Sequence, residues 1–336
     1  MKKKSYFFLL ILIFSGLTAC NKNKRFEVDT NNNDGNFKIR RFDKDLVTLD
    51  TAKLRSGVIA LYEKYPDFMP LYVSEVLMQQ PNDTAAVTTL LRGFLADTVF
   101  QAVNRDVLRV FSDITATEKS ISGAYTYIHH YFPDIVLPEI YFYVSGFNRP
   151  IIISDKMIAV GVDLYLGADY PRYEDFTYKY LTYTMQPASI APDVVSALLF
   201  KSFPYNSKEE RLVDQMLYRG KIMYLMSVLM PDQKPHDIMG YSNNQWEWSR
   251  KYEKEIWNTI MDQQDLFSTD NALIRKYMND APFTAPVSQD APGRLGTWVG
   301  WQIVQSYMDN NKDVTLEALM KENNYQKILD MSGYQP

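Results

Sequence analysis

Imidazole is the commonest base and metal ligand near neutral pH, and this chain has three: His129, His130 and His236. The first two are adjacent, so on a helix they diverge by about 100° and cannot form the i, i+4 pair of an H-E-x-x-H zinc site. His236 stands between Pro235 and Asp237 with no partner at ligand spacing. No G-x-S-x-G elbow presents a serine nucleophile, and no glycine-rich loop is built to cradle a phosphate. Gly293-Arg294-Leu295-Gly296 opens an expected helix whose N-terminus could hold an anion, although such a sequence is more often a cap. Carboxylates remain. Asp163, Asp169, Glu174 and Asp175 gather around Asp163-Leu164-Tyr165-Leu166-Gly167. Two such groups roughly 5–9 Å apart could hydrolyse a glycoside, and a larger set could bind calcium. The competing role for Asp163 is structural, as an acceptor for backbone N–H groups at a strand end.

Cys20 is the only cysteine, and it closes Leu17-Thr18-Ala19-Cys20. Ahead of it stand Lys2, Lys3 and Lys4, then an apolar run from Tyr6 to Phe14. This is the layout of a bacterial export signal. The run is too short for the ~20 residues that a membrane-spanning helix needs. Small residues before the cysteine suit a lipoprotein signal peptidase, so Cys20 is the expected lipid attachment point and the membrane the first expected partner. Each buried methylene of an acyl chain contributes ~0.8 kcal/mol, so two or three chains hold a protein on a membrane for a long time. With Cys20 acylated no thiol remains, which excludes cysteine nucleophiles and iron–sulfur clusters. No cofactor is expected.

Removing residues 1–19 takes away three lysines and no acid, deepening the formal charge from −4 to −7. An acidic chain without a basic stripe has no electrostatic footprint for nucleic acid. Hydrophobic residues make up 46% of the chain, enough for a sizeable core without disulfides. The 24 tyrosines and 18 phenylalanines suit dense packing, with the hydroxyls held at the core boundary.

These elements must position the candidate groups. Residues 20–36 are polar and Asn-rich and read as a flexible stalk, with one folded unit over 37–336. Residues 37–132 read as helical, since Leu46, Leu49, Leu54, Val58 and Leu61 keep helix spacing and recurrent prolines punctuate the run. From 133 to 167 the runs Ile140–Phe147, Pro150–Ile153 and Met157–Val162 are β-branched and aromatic, separated by turn residues. Residues 168–336 read as helical again, over Glu174–Met185, Pro192–Phe203, Lys208–Met230, Asn243–Leu266, Asn271–Asn279, Gly296–Asp309 and Leu316–Glu322. The expected class is α+β and mostly α-helical, with helices packed around a small, largely antiparallel sheet. Trp246, Trp248, Tyr252, Ile256, Trp257 and Ile260 form an aromatic stripe at helical spacing, ordinarily a core face.

Several segments together resemble the gliding motility lipoprotein B (GldB) family. They are the lipobox at Cys20, the opening Ile39-Arg40-Arg41-Phe42-Asp43, the central run from Ser145 to Tyr173, Glu255-Ile256-Trp257, Ala281-Pro282-Phe283, the run from Pro292 to Met308 and the ending Ser332 to Pro336. The family looks distantly similar to zinc peptidases that carry H-E-x-x-H on a helix after such a sheet and a further glutamate on the next long helix. Here the corresponding helix, Pro192 to Phe203, has neither histidine nor glutamate, and Arg219 falls where the later acid would stand. The resemblance implies a peptidase-like scaffold without catalytic or metal residues, with Asp163, Arg219, Arg294, Trp298 and Trp301 as candidate cleft or binding residues. It also implies envelope protein partners from the gliding or type IX secretion machinery. Asn21 is not a retention aspartate, and Asn21 to Phe26 lacks an acidic run, so the expected location is the outer membrane facing the periplasm. The alternative is a metal-independent hydrolase or carbohydrate-binding protein using the Asp163 region.

Overall fold

The computed structural model describes residues 24–29 and 37–336, so the export signal and Cys20 lie outside the described residues. The first helices are α1 (Phe42–Val47), α2 (Leu54–Lys64), α3 (Phe68–Glu75), α4 (Thr84–Ala96), α5 (Thr98–Val110) and α6 (Thr115–Tyr131). Their starts follow ordinary capping chemistry. The Asp83 and Asp97 carboxylates accept from the backbone N–H groups of Ala86 and Phe100, at 2.9 and 2.7 Å, satisfying donors that a helix start leaves free.

The sheet has four strands: β1 (Arg40–Arg41), β2 (Glu139–Tyr143), β3 (Ile151–Ile153) and β4 (Met157–Gly161), in the order β1-β2-β4-β3. It is mixed rather than largely antiparallel. β1 pairs with β2 and β2 with β4 in parallel, and only β3 and β4 form a hairpin. The reason lies in residues 144–150, which carry the chain past the end of β4 to the outer edge and leave the central place for β4 itself. The Arg149 carbonyl crosses so near Gly161 that a Cβ there would stand 2.3 Å from it, and Gly161 N–H donates to Pro150 O at 2.8 Å. Only glycine permits that crossing. β1 escapes sequence reading because two arginines carry no strand pattern.

Side chains alternate across the sheet with period two. Tyr141, Tyr143, Ile152, Met157 and Ala159 pack with α1–α4 in a smaller core around Phe42, Phe68 and Tyr72. Ile140, Phe142, Val144, Ile158 and Val160 face the larger core. That core is built with α7 (Ile190–Ser202), α8 (Leu212–Leu229), α9 (Pro235–Met239), α10 (Asn243–Lys251), α11 (Glu253–Asp262), α12 (Asn271–Met278), α13 (Leu295–Asn310), α14 (Leu316–Lys321) and α15 (Tyr325–Ser332). At its centre α8 and α13 touch backbone to backbone, because Gly220 lies against Gly300 and Gly300 against the carbonyl of Met216. Each fully buried aliphatic or aromatic side chain in these layers contributes about 1.5–3 kcal/mol.

Three further expectations change. Glu174–Met185 is not an α-helix but two 3-10 segments, Pro171–Asp175 and Lys179–Thr184. Its threonines and tyrosines are weak helix formers. The expected helix over Asn243–Leu266 breaks at Tyr252, the C-cap of α10 and N-cap of α11. The stalk over 20–36 is not free throughout: Lys24–Phe26 form a 3-10 turn that docks on the body. Phe26 is buried and meets Tyr131 edge-on at 6.0 Å. Arg25 donates to Met308 O at 3.0 Å and to Val314 O, placing a cation at the carbonyl end of α13. Apolar Phe26 and Val28 give this polar run enough surface to bury.

Candidate functional site

Asp163 is the second residue of the 3-10 turn Val162–Tyr165 that follows β4 and is wholly buried. One carboxylate oxygen accepts from Ser145 N–H at 2.8 Å, and the other from Phe147 N–H at 2.6 Å and the Ser145 hydroxyl at 3.0 Å. Burial pushes its carboxyl above the usual range, while these donors pull it back. It therefore pins the crossing loop whose N–H groups would otherwise be orphaned. The other acids do not converge on it. Asp169 is in solvent, paired with Lys179 at 2.7 Å, and Glu174 and Asp175 are both exposed on the next turn. The carboxylate pair required for glycoside chemistry is not assembled around Asp163.

A different acid occupies a polar cluster between α7, α8 and α13. Asp193, in the first turn of α7, accepts a hydrogen bond from the Tyr165 hydroxyl at 2.8 Å. Desolvation pushes its carboxyl up to about 6, opposed by the Tyr165 bond and by the charge of Arg294. Arg294 is the left-handed N-cap of α13, with φ 60°. Its guanidinium pairs with Asp280 at 2.9 Å, donates to Met239 O at 2.5 Å, and lies over the Tyr241 ring. This arginine ties the end of α9 to the start of α13, which fits capping better than capture of a ligand. Arg219, on α8, donates to Met278 O at 3.2 Å, and burial is the main influence lowering its proton affinity, followed by the charge of Arg294. Guanidinium groups stay ionised even so. The cluster thus holds two fixed cations, Asp280, and an acid poised near neutrality.

Trp298 and Trp301 are core residues. Both are buried, and Trp246 packs against them at centroid distances of 6.3 and 5.6 Å. The indole N–H of Trp298 and the hydroxyl of Thr297 have no hydrogen-bond partner. The candidate residues therefore separate into three places: Asp163 at the sheet end, the two arginines in the polar cluster, and the tryptophans in the core. Asp193 was missed in the sequence because attention rested on absent histidine and glutamate, yet an acid in the first turn of a helix in an apolar run was visible in Pro192-Asp193-Val194-Val195. His129 and His130 end α6 exposed to solvent. Among the described residues no three His, Cys, Asp or Glu side chains converge on a common point, and no helix is long and apolar enough to cross a membrane.

The family model described as "Gliding motility protein GldB" matches residues 23–336. This chain belongs to the GldB family. The match begins next to the docked Lys24–Phe26 turn and runs through both cores and the polar cluster, so family membership covers the whole described body. It relates the chain to gliding motility and to lipoproteins of the cell envelope. No curated protein and no solved structure matches the chain.

Proposed function

We propose that this GldB-family member is a non-catalytic envelope lipoprotein, a peptidase-like scaffold anchored through Cys20 to the outer membrane on its periplasmic side. It supports the gliding or type IX secretion machinery, or a related step of envelope assembly. The observation that carries the reading is the cationic filling of the α7–α8 cluster. Where a zinc peptidase would gather histidines and a glutamate, α7 offers one acid, and the α8 guanidinium of Arg219 bonds the carbonyl at the end of α12.

The docked N-terminal turn supports membrane placement and sharpens it. An extended chain spans at most ~3.3–3.6 Å per residue, so from Arg25 back to Cys20 the reach is at most about 18 Å. A free stalk over 20–36 would allow roughly three times that. The body is thus held close to the bilayer, with the C-terminal ends of α6 and α13 nearest the anchor.

The test is recovery of partners from detergent-solubilised envelopes by mass spectrometry, with the lipidated protein compared against Cys20→Ala. A defined set of motility or secretion proteins recovered only with the anchored form is expected. Recovery of the same set with both forms, or none with either, contradicts the scaffold reading. A second reading, a metal-independent hydrolase, draws support from Asp193, whose proton affinity near neutrality would suit a general acid or base.

A further inference from the structure

Away from the polar cluster, a cavity of about 220 Å³ lies between the end of α7, the middle of α8 and the α14–α15 connection. Lys221 lines it from α8 while being only 1% exposed. An ammonium taken out of water needs a counter-charge or a full set of acceptors. Lys221 has neither. Its Nζ donates to Glu322 O at 2.8 Å and Met320 O at 3.3 Å, and it lies 5.1 Å from the centre of the Tyr325 ring. The Glu322 carboxylate is taken by Lys327 at 2.6 Å. Two carbonyls leave the third N–H of the ammonium uncommitted, and burial pulls its proton affinity down to about 8.

Tyr325 supplies an independent sign. Its side chain lines the same cavity and is 3% exposed, and although the Asn206 backbone N–H approaches the hydroxyl oxygen, the O–H proton has no acceptor. A cation and a neutral donor, both desolvated and both incompletely satisfied, thus face one space. Apart from Ser202, the remaining walls are apolar or aromatic, from Phe203, Tyr218 and Met320, and the mouth is formed by the exposed residues Pro204, Asn206 and Asn323.

We propose that this cavity is a binding site for a small carboxylate carried on an apolar or aromatic body, its anionic end on Lys221 and Tyr325 and its body against Phe203, Tyr218 and Met320. A single cation matches a monoanion. A dianion such as phosphate would leave a second charge facing neutral walls in an acidic protein. The volume fits a fragment the size of benzoate rather than a drug-sized ligand, for which pockets usually run to ~300–1,000 Å³.

The experiment is a calorimetric titration of the full-length lipidated protein in detergent with benzoate, with benzamide as neutral isostere and inorganic phosphate as competing anion. Benzoate should bind at millimolar concentration or better, and benzamide and phosphate at least tenfold more weakly. Benzoate affinity should fall as pH rises from 7 to 9.5, since only the protonated lysine attracts it. Tyr325→Phe, which removes one oxygen and keeps the ring, should lose roughly threefold or more. Lys221→Met should lose tenfold or more, with its fold checked by circular dichroism because the two backbone carbonyls also lose their donor. Benzamide binding as well as benzoate, phosphate binding better, no benzoate binding at 20 mM, or unchanged affinity in Tyr325→Phe would each overturn the assignment.

Discussion

Asp43 and Asp193 are acids withdrawn from water in the two halves of the molecule, and their surroundings differ. Asp43, in α1 over the smaller core, receives a forked pair of hydrogen bonds from Arg41, at 2.9 Å from Nε and 2.7 Å from the terminal nitrogen, and Arg41 also donates to Phe111 O. Asp193, in α7 beside the larger core, has the Tyr165 hydroxyl and a more distant arginine. The larger half also holds the partnerless polar atoms of Thr297 and Trp298, whereas no side chain of the smaller core is among such atoms in the described residues. Buried polar groups are nearly always satisfied, and an unsatisfied one costs about 1–3 kcal/mol. The smaller half is therefore built for rigidity, and the larger half carries the groups with capacity left for a ligand or partner.

Four variants break or sharpen this contrast. Gly300→Ala should do the most damage, about 4 kcal/mol or enough to prevent folding, because its Cβ would stand 1.9 Å from the Met216 carbonyl and neither helix backbone can yield cheaply. Expression yield and the urea midpoint read this out. A near-neutral result would mean that the α8–α13 contact is looser than drawn.

Asp43→Ala should cost about 3 kcal/mol, since it strands the half-buried Arg41 guanidinium. Urea unfolding at neutral pH measures it. Asp193→Asn should act in the opposite direction. The folded carboxyl titrates near 6, above its ordinary value of 3.8, so the wild-type fold holds this proton more tightly than the unfolded chain does. The stability contributed by that proton is full below pH 4 and is lost as pH rises through 6. The variant should therefore match wild type near pH 4 and exceed it by about 1–3 kcal/mol above pH 7. A variant less stable than wild type at pH 7.5 would erase the distinction between the two acids.

Arg25→Ala should have the smallest effect on the fold, about 1 kcal/mol. It should nonetheless lengthen the distance between body and bilayer, measured by energy transfer from a dye on the body to labelled lipid. An unchanged distance would show that the docked turn does not set the spacing.

Much of this architecture could be read from residue patterns, and the failures have physical causes. The β-branched and aromatic content of Ile140 to Phe147 between turn residues announced a strand, and the apolar spacing of Leu54, Val58 and Leu61 announced a helix. The parallel pairing of β2 with β4 could not be read, because it depends on a crossing loop fixed by Gly161 and Asp163, at and just beyond the end of β4, through contacts made only in the folded chain. α15 was missed although Asn324 caps it and Gly333 closes it in a left-handed conformation. That bracket was visible, but the segment between is only eight residues long, too short for a helical period to stand out. Asp163 was correctly weighed as a structural acceptor, while Asp193 and Lys221 were not singled out, since burial and missing partners are properties of the packed chain.

The most direct test of the non-catalytic reading is complementation of a strain lacking this gene with Asp193→Asn and, separately, Cys20→Ser. Asparagine can still accept the Tyr165 hydrogen bond but cannot exchange a proton near neutral pH. Full restoration of gliding or secretion by Asp193→Asn, with loss in Cys20→Ser despite normal protein levels, is the result predicted. Loss of function in a stably folded Asp193→Asn, with Cys20→Ser still active, would contradict the account and point to acid–base catalysis at α7.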